Sequence, residues 1–149
     1  MAKTFSITRR VLFHETDMAG VMHFSNYFRL MEEVEHAWWR SLGLSVIDSD
    51  GGSGNAKSEP VNWPRVSASC EFTAPVRFED ELALNLKVAK LGQKSIAFEV
   101  EFAHGDKLVG RGTMRAACCT MKNGKFTAVA IPEALRARIA EAAGLEKTA

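Results

Sequence analysis

The sequence has little cysteine and no long apolar run. Its three cysteines are odd in number and form no C-x-x-C pair, which argues against a disulfide framework and a zinc or redox site. Cys70, Cys118 and Cys119 are therefore expected to be reduced, inert thiols in a cytoplasmic protein. No segment approaches the ~18 apolar residues that a membrane span needs, and the first ten residues lack a signal-peptide core. We expect no membrane partner.

An excess of one charge sign is also lacking. Nineteen Lys and Arg face eighteen Asp and Glu, which leaves a formal charge of +1. Without a strong basic field, the sequence gives no reason to expect a nucleic acid partner. Hydrophobic residues make up 46% and charged residues 25%, which excludes a disordered or collagen-like chain. A length of 149 residues predicts one domain over residues 1–149.

The spacing of apolar residues changes along the chain, and each spacing predicts a type of element. Residues 5–13 alternate and predict a strand, with Arg9 as the polar exception on its apolar side. Residues 25–42 repeat at three and four and predict a long, enclosed helix, with Ser25 as N-cap and Gly43 after its end. Alternation then returns over 66–78 and later segments, predicting a meander of antiparallel strands. The last long strand is expected over 108–121, before an Asn-Gly hairpin dipeptide.

Two segments break this pattern. Residues 45–65 are rich in Gly, Ser, Asp and Pro and predict a long surface loop that is mobile over 50–58. Pro132 begins a predicted C-terminal helix over 132–143. Together the elements predict an α+β fold in which an antiparallel sheet curls around the long helix. Because long sheet edges are usually paired, we also expect a homo-oligomer.

The reactive side chains are concentrated between the first strand and the long helix, in the segment HETDMAGVMH. Asp17 can attack a carbonyl carbon or deprotonate a water, while N–H groups of the first helical turn hold the developing negative oxygen. That combination is typical of acyl transfer to water. Alternatively, Asp17 is a turn residue, and Glu15 is then the general base. A metal site that adds His14 and His23 lacks the H-x-x-x-H spacing of a helical site.

Residues 13–43, which begin FHETDMAGVMHFSNY, resemble hotdog-fold thioesterases of the 4-hydroxybenzoyl-CoA thioesterase family. Those proteins carry a T-D-x-x-G-x-(aromatic or apolar)-x-x-x-N-Y core. The resemblance implies the hotdog fold, an antiparallel sheet wrapped around a long central helix. It also implies hydrolysis of an acyl- or aroyl-CoA thioester without metal or organic cofactor, in a homodimer or homotetramer with active sites at subunit interfaces. The acidic catalytic residue falls on Asp17, and the oxyanion amide falls at or beside Phe24.

Further substrate contacts are expected within this core and in later parts of the chain. Some relatives have a histidine seven residues after the aspartate, where this chain has Phe24 and places His23 one residue earlier. His23 is therefore a candidate substrate-binding residue. Coenzyme A carries phosphates, so Lys90 and Lys94, which flank a predicted turn, are candidate contacts, as is Arg111. The alternative is that each of these three is an ordinary solvated residue.

Three functions fit these observations. An acyl-CoA thioesterase needs a carboxylate, which Asp17 supplies, and an oxyanion site near Phe24. A hydratase of the same fold, of the enoyl-CoA hydratase type, needs Asp17 and His23 to reach one water. A non-catalytic acyl-binding oligomer needs neither group for chemistry. Release of thiol from a panel of acyl-CoAs, measured beside enoyl-CoA hydration, distinguishes the three.

Overall fold

A sheet and a long helix form the main body of the protein, in a computed structural model that describes residues 2–46 and 60–145. The predicted mobile segment at 50–58, and most of the predicted loop at 45–65, lie outside the described residues. The elements in chain order are β1 (Phe5–Arg10), α1 (Ser25–Ser41), β2 (Arg65–Phe72), β3 (Glu81–Leu91), β4 (Ser95–His104), β5 (Lys107–Ala117), β6 (Cys119–Lys122), β7 (Lys125–Ala128) and α2 (Glu133–Ala143).

Five of the strands form one antiparallel sheet in the order β1-β3-β4-β5-β2. Along β3 and β4, buried residues alternate with more exposed ones, and the buried residues lie on the sheet face that packs on α1. This arrangement confirms the predicted α+β hotdog fold. The sheet order leaves β1 and β2 at its two edges, and β2 pairs only with β5 in the described part of the chain.

Helix α1 packs closely on the inner face of the sheet. Its apolar surface includes Leu30, Met31, Val34 and Trp39, none of which is exposed. Gly112 on β5 permits this approach, because a Cβ there would come within 2.5 Å of the Met31 sulfur. The wide apolar surface predicted for the helix thus corresponds to burial against the sheet and its neighbouring segments.

Several predicted boundaries were wrong by a few residues. The strand predicted over residues 5–13 ends at Arg10, because Phe13–Glu15 form a 3₁₀ turn that redirects the chain. The strand predicted over 66–78 ends at Phe72, shortly before Pro75, which cannot donate a ladder hydrogen bond. The strand predicted over 108–121 breaks at Cys118, whose N–H instead donates to the carbonyl of Lys94.

The two ends of α1 give one correction and one confirmation, and the β6–β7 hairpin gives a second confirmation. Ser25 is the first helical residue rather than the N-cap, since Phe24 precedes it in a helical conformation without a side-chain cap bond. Gly43 follows the C-terminal end of α1 with a φ of +75°, as the sequence indicated. The predicted hairpin dipeptide joins β6 and β7, with positive φ at both Asn123 and Gly124.

Candidate active site

Asp17 lies in a tight turn between β1 and α1. The N–H of Gly20 donates to the Asp17 carbonyl at 2.9 Å, and Gly20 has a φ of +80°, which glycine adopts without strain. The carboxylate of Asp17 accepts the Ala19 N–H through Oδ1 at 2.8 Å. Its Oδ2 accepts no hydrogen bond from any residue that the structure describes. The side chain is exposed, so this second oxygen is available to a bound molecule.

Glu15 is held in a different way from Asp17. It is 4% exposed, and its carboxylate accepts bonds from Arg9 and from the Leu12 N–H. Burial on its own raises the pKa of Glu15, but the hydrogen bonds from Arg9 and Leu12 outweigh it and lower the pKa below the ordinary value. Arg9, the polar exception on the apolar side of β1, thus provides the counter-charge that Glu15 needs. Both Glu15 oxygens are engaged within the protein.

One N–H group at the N-terminal end of α1, that of the N-cap residue Phe24, has no hydrogen-bond partner among the described residues. The N–H groups of Asn26 and Tyr27 donate to the carbonyls of His23 and Phe24, respectively, at 2.9 and 3.2 Å. The N–H of Ser25 points to Nδ1 of His23 at 3.3 Å. The N–H of Phe24 donates to no partner within residues 2–46 and 60–145. An unengaged amide at the positive end of a helix is suited to bind a negative oxygen.

Asp17 and Phe24 line the same open cavity. Its volume is about 410 Å³, and it lies between the start of α1 and the chain that leaves β2. The other lining residues are mostly apolar: Val21, Met22, Tyr27, Phe72, Thr73, Ala74, Pro75 and Val76. Among the described residues that line the cavity, Asp17 is the one that carries a charge. The lining therefore combines a mostly apolar wall with the Asp17 carboxylate, and it includes Phe24, whose N–H has no partner among the described residues.

The remaining predicted contacts lie outside this cavity. His23 is directly beside it, but its Nδ1 lies 2.8 Å from the hydroxyl of Ser25, and its ring stacks on Phe24. Lys90 and Lys94 flank the β3–β4 turn, at the far end of an 11-residue strand whose start lies near Asp17. At 3.4 Å per residue that separation is ~30 Å, so one chain does not bring these lysines to Asp17. Arg111 forms ion pairs with Glu99 and Glu101 on the outer sheet face.

The alternative chemistries find little support in the described residues. No group of three or more His, Cys, Asp or Glu side chains there is placed to hold a metal ion. Burial raises the pKa of the Cys70 and Cys118 thiols to about 11, so both stay protonated at neutral pH.

None of the described helices has the length and apolar character of a membrane span. A cytoplasmic location stays a prediction.

Two residues of the cavity wall were given no separate role from the sequence. Tyr27 ends the quoted N-Y core but was interpreted only as a member of the apolar helix face, and Phe72 only as an inward strand residue. The structure stacks their rings with centroids 4.7 Å apart at the cavity wall. Helical and strand periodicity report only burial, so they do not distinguish a cavity wall from a filled core.

A five-stranded antiparallel sheet that packs on the long helix α1 defines the hotdog class of folds. The family comparison agrees with this class: residues 11–139 match the model of the thioesterase-like superfamily. The chain belongs to the thioesterase-like superfamily. The predictions of family and of a thioester hydrolase are thereby confirmed.

Similar proteins are known by sequence and by structure. A 1,4-dihydroxy-2-naphthoyl-CoA hydrolase of Prochlorococcus marinus (strain MIT 9303) is 31% identical over 145 residues, which cover 95% of this chain and 92% of that protein. The solved structure of the BH1999 gentisyl-coenzyme A thioesterase has 25% identity and a TM-score of 0.75, covering 91% of this chain and 99% of the other. A 1,4-dihydroxy-2-naphthoyl-CoA thioesterase from Synechocystis shares the fold, with 24% identity, a TM-score of 0.76 and coverage of 93% and 97%.

Proposed function

We propose that the protein hydrolyses the thioester of an acyl- or aroyl-coenzyme A, with Asp17 as the catalytic carboxylate. The observation that carries this proposal is the shared cavity of Asp17 and Phe24. Among the described residues, one Asp17 carboxylate oxygen and the Phe24 N–H have no hydrogen-bond partner. A carboxylate that activates the attacking water and a donor that binds the carbonyl oxygen are the two groups of this proposed mechanism.

The reaction follows from these two groups. The thioester carbonyl oxygen accepts the Phe24 N–H, which together with the helix dipole stabilises the negative charge that develops there. Asp17 takes a proton from a water as the water oxygen bonds to the carbonyl carbon. Alternatively, the carboxylate itself attacks and forms an anhydride that water then opens. In the first route the C–S bond breaks and protonated Asp17 returns its proton to the leaving thiolate, which gives coenzyme A and the acid. In the second route the thiolate leaves and takes a proton from solvent, and water then opens the anhydride to the acid and free Asp17.

Glu15 is less suited to this role than Asp17. Its carboxylate is buried, and both of its oxygens accept bonds from Arg9 or Leu12. Removing it from these bonds to reach a water would leave the Arg9 charge without its closest partner. Asp17, by contrast, is exposed at the cavity and has a free oxygen.

The acyl group is proposed to be apolar or aromatic. The cavity wall has no charge except Asp17, and it carries the rings of Phe24, Tyr27 and Phe72. A charged acyl group would lose its hydration there without gaining a counter-ion. Relatives named as 1,4-dihydroxy-2-naphthoyl-CoA hydrolase and gentisyl-coenzyme A thioesterase support an aroyl-CoA as the substrate class.

The working unit is proposed to be a homodimer or homotetramer joined through β2. Strand β2 is an edge strand whose apolar Val66 and Phe72 are 50% and 48% exposed. Antiparallel pairing with a second β2 covers this edge and extends the sheet. It also brings the second copy's β3–β4 turn, with Lys90 and Lys94, to the end of the joined sheet at which Asp17 lies. Their proposed contact with the phosphates of coenzyme A is then made across the interface.

Thiol release from benzoyl-, hydroxybenzoyl- and straight-chain acyl-CoAs, measured beside enoyl-CoA hydration, tests the function. We expect hydrolysis and no hydration. His23→Ala separates the two enzyme hypotheses, because hydration needs His23 whereas the proposed hydrolysis does not use its ring. Loss of less than about tenfold in kcat is expected, since general acid–base groups contribute ~10²–10⁴. Absence of thiol release from every CoA thioester would contradict the proposal and leave an acyl-binding protein.

A further inference from the structure

Tyr27 presents a buried ring with an unengaged hydroxyl. The residue is 3% exposed, and its ring packs between Phe72 and Phe102 at centroid distances of 4.7 and 5.3 Å. Its hydroxyl forms no hydrogen bond with any residue that the structure describes. A buried hydroxyl without a partner costs free energy, and native proteins generally avoid this cost. A ligand can therefore bond this hydroxyl without displacing any partner among the described residues.

The unengaged hydroxyl is accessible to solvent, and Tyr27 lines the cavity of Asp17. Among the described residues, every side-chain nitrogen or oxygen that is sealed from solvent in a non-exposed residue has a hydrogen-bond partner. The hydroxyl of Tyr27 has none, so it is not sealed, and the space that its side chain lines is the cavity of Asp17. A molecule bound in this cavity therefore contacts Tyr27.

Tyr27 lies close to the proposed reaction centre. It follows Phe24 by three residues, a rise of ~4.5 Å along the helix, and helical side chains lean toward the N-terminus of their helix. An acyl group whose carbonyl binds the Phe24 amide and which extends along α1 therefore passes the Tyr27 hydroxyl. The distance suits a group on the acyl chain or ring, not the thioester itself.

The sheet accommodates the tyrosine ring in this position. Gly110 on β5 faces it, and a Cβ at Gly110 would come within 3.2 Å of Tyr27 Cε1 and 3.3 Å of a Phe102 ring carbon. Burial raises the pKa of the Tyr27 hydroxyl, so it keeps its proton and can donate as well as accept a hydrogen bond. A phenylalanine would fill the same space without an unsatisfied group.

We propose that the Tyr27 hydroxyl is a specificity-determining contact of this enzyme, one that hydrogen-bonds an oxygen substituent on an otherwise apolar, aromatic acyl group. This inference rests on the proposed function and adds the residue that selects a hydroxylated acyl group over an unsubstituted one. The aromatic wall of Phe24 and Phe72 suits the ring of such a substrate, and Tyr27 suits its hydroxyl.

The kinetic test compares Tyr27→Phe with the unaltered protein on benzoyl-CoA and on 2-, 3- and 4-hydroxybenzoyl-CoA. The ratio of kcat/KM for the best hydroxylated substrate to that for benzoyl-CoA is expected to fall about tenfold, the size of one buried hydrogen bond. Thr8→Val is the matched control, because it removes the hydroxyl of an exposed β1 residue that does not belong to the cavity lining. The control should leave the ratio unchanged.

A spectroscopic readout does not depend on turnover. Tyr27 is the only tyrosine of the chain, so ζ-¹³C-tyrosine labelling gives a single NMR signal. Binding of 4-hydroxybenzoic acid with CoA to the Asp17→Asn protein should shift this signal more than benzoic acid with CoA does. Equal shifts for the two acids would overturn the inference.

The outcomes separate this inference from the proposed function. If the unaltered protein releases no thiol from any CoA thioester, the proposed function fails. If it does, and Tyr27→Phe leaves the ratio unchanged, the inference alone fails. It also fails if Tyr27→Phe dissociates the oligomer and lowers hydrolysis of all four substrates equally, since the hydroxyl then serves the subunit interface.

Discussion

The guanidinium of Arg9 binds the carboxylate of Glu15 through two hydrogen bonds of 2.8 and 2.6 Å. The backbone carbonyl of Glu15 in turn accepts the His23 N–H and the side-chain amide of Asn26, both at 2.8 Å. One residue thus connects the end of β1 to the start of α1. The turn that carries Asp17 lies between these two attachments, so the ion pair fixes the base of that turn.

Breaking this ion pair is expected to destabilise the fold strongly. Arg9→Met leaves the buried Glu15 carboxylate without its cation and should lower the free energy of unfolding by about 3 kcal/mol. Arg10→Met is the matched control, because the Arg10–Glu81 pair is exposed on both sides and such pairs contribute less than about 1 kcal/mol. Denaturant unfolding of both variants measures the difference. Equal losses would show that Glu15 does not depend on Arg9.

Stability should depend on pH through Glu15. Its pKa is lower in the folded than in the unfolded protein, where it is ~4.3. The pair therefore stabilises the fold fully above the unfolded pKa, and this contribution is lost as the pH falls through the folded pKa. Glu15→Gln should make the free energy of unfolding less steep in pH below about pH 5. An unchanged slope would contradict the shift.

Asp17→Asn should remove catalysis and leave the fold intact. Asparagine keeps an oxygen for the Ala19 N–H but neither accepts a proton from water nor attacks as an anion. We expect kcat to fall by ~10²–10⁴ with a small change in KM and in the melting temperature. Asp106→Asn, in the exposed turn between β4 and β5, is the control and should keep full activity. A variant at Asp17 that retains more than about a tenth of kcat falls outside this range and moves attention to Glu15.

The protein should behave in solution as a dimer or tetramer. Light scattering is expected to give at least twice the 16.4 kDa of one chain at micromolar concentration. Val66→Glu places a charge on the exposed face of β2 and should shift the protein toward monomer, with loss of hydrolysis. Met121→Glu alters a residue of similar exposure on β6 and should change neither. A monomeric unaltered protein would contradict the assembly.

The local spacing of apolar residues and the turn residues predicted most of the fold. Apolar residues spaced by three and four located α1, and alternating apolar residues located the strands, because burial of one face imposes these spacings on the sequence. The sequence also predicted the turn at Asn123 and Gly124 and the helix end at Gly43, since few residues adopt positive φ without strain. It predicted the ends of the strands less accurately. The break at Cys118 depends on its bond to Lys94, a partner 24 positions away along the chain.

For the candidate site, the sequence by itself determined which segment is proposed to carry the chemistry, through the T-D-x-x-G core and its place before a helix. It left Asp17 and Glu15 as competing bases, because spacing does not show which carboxylate has a partner. Only the tertiary structure supplied Arg9 beside Glu15, and only it set Tyr27 and Phe72 against the same cavity as Asp17. These relations join residues from separate elements, so they depend on how α1 packs on the sheet and not on any local propensity.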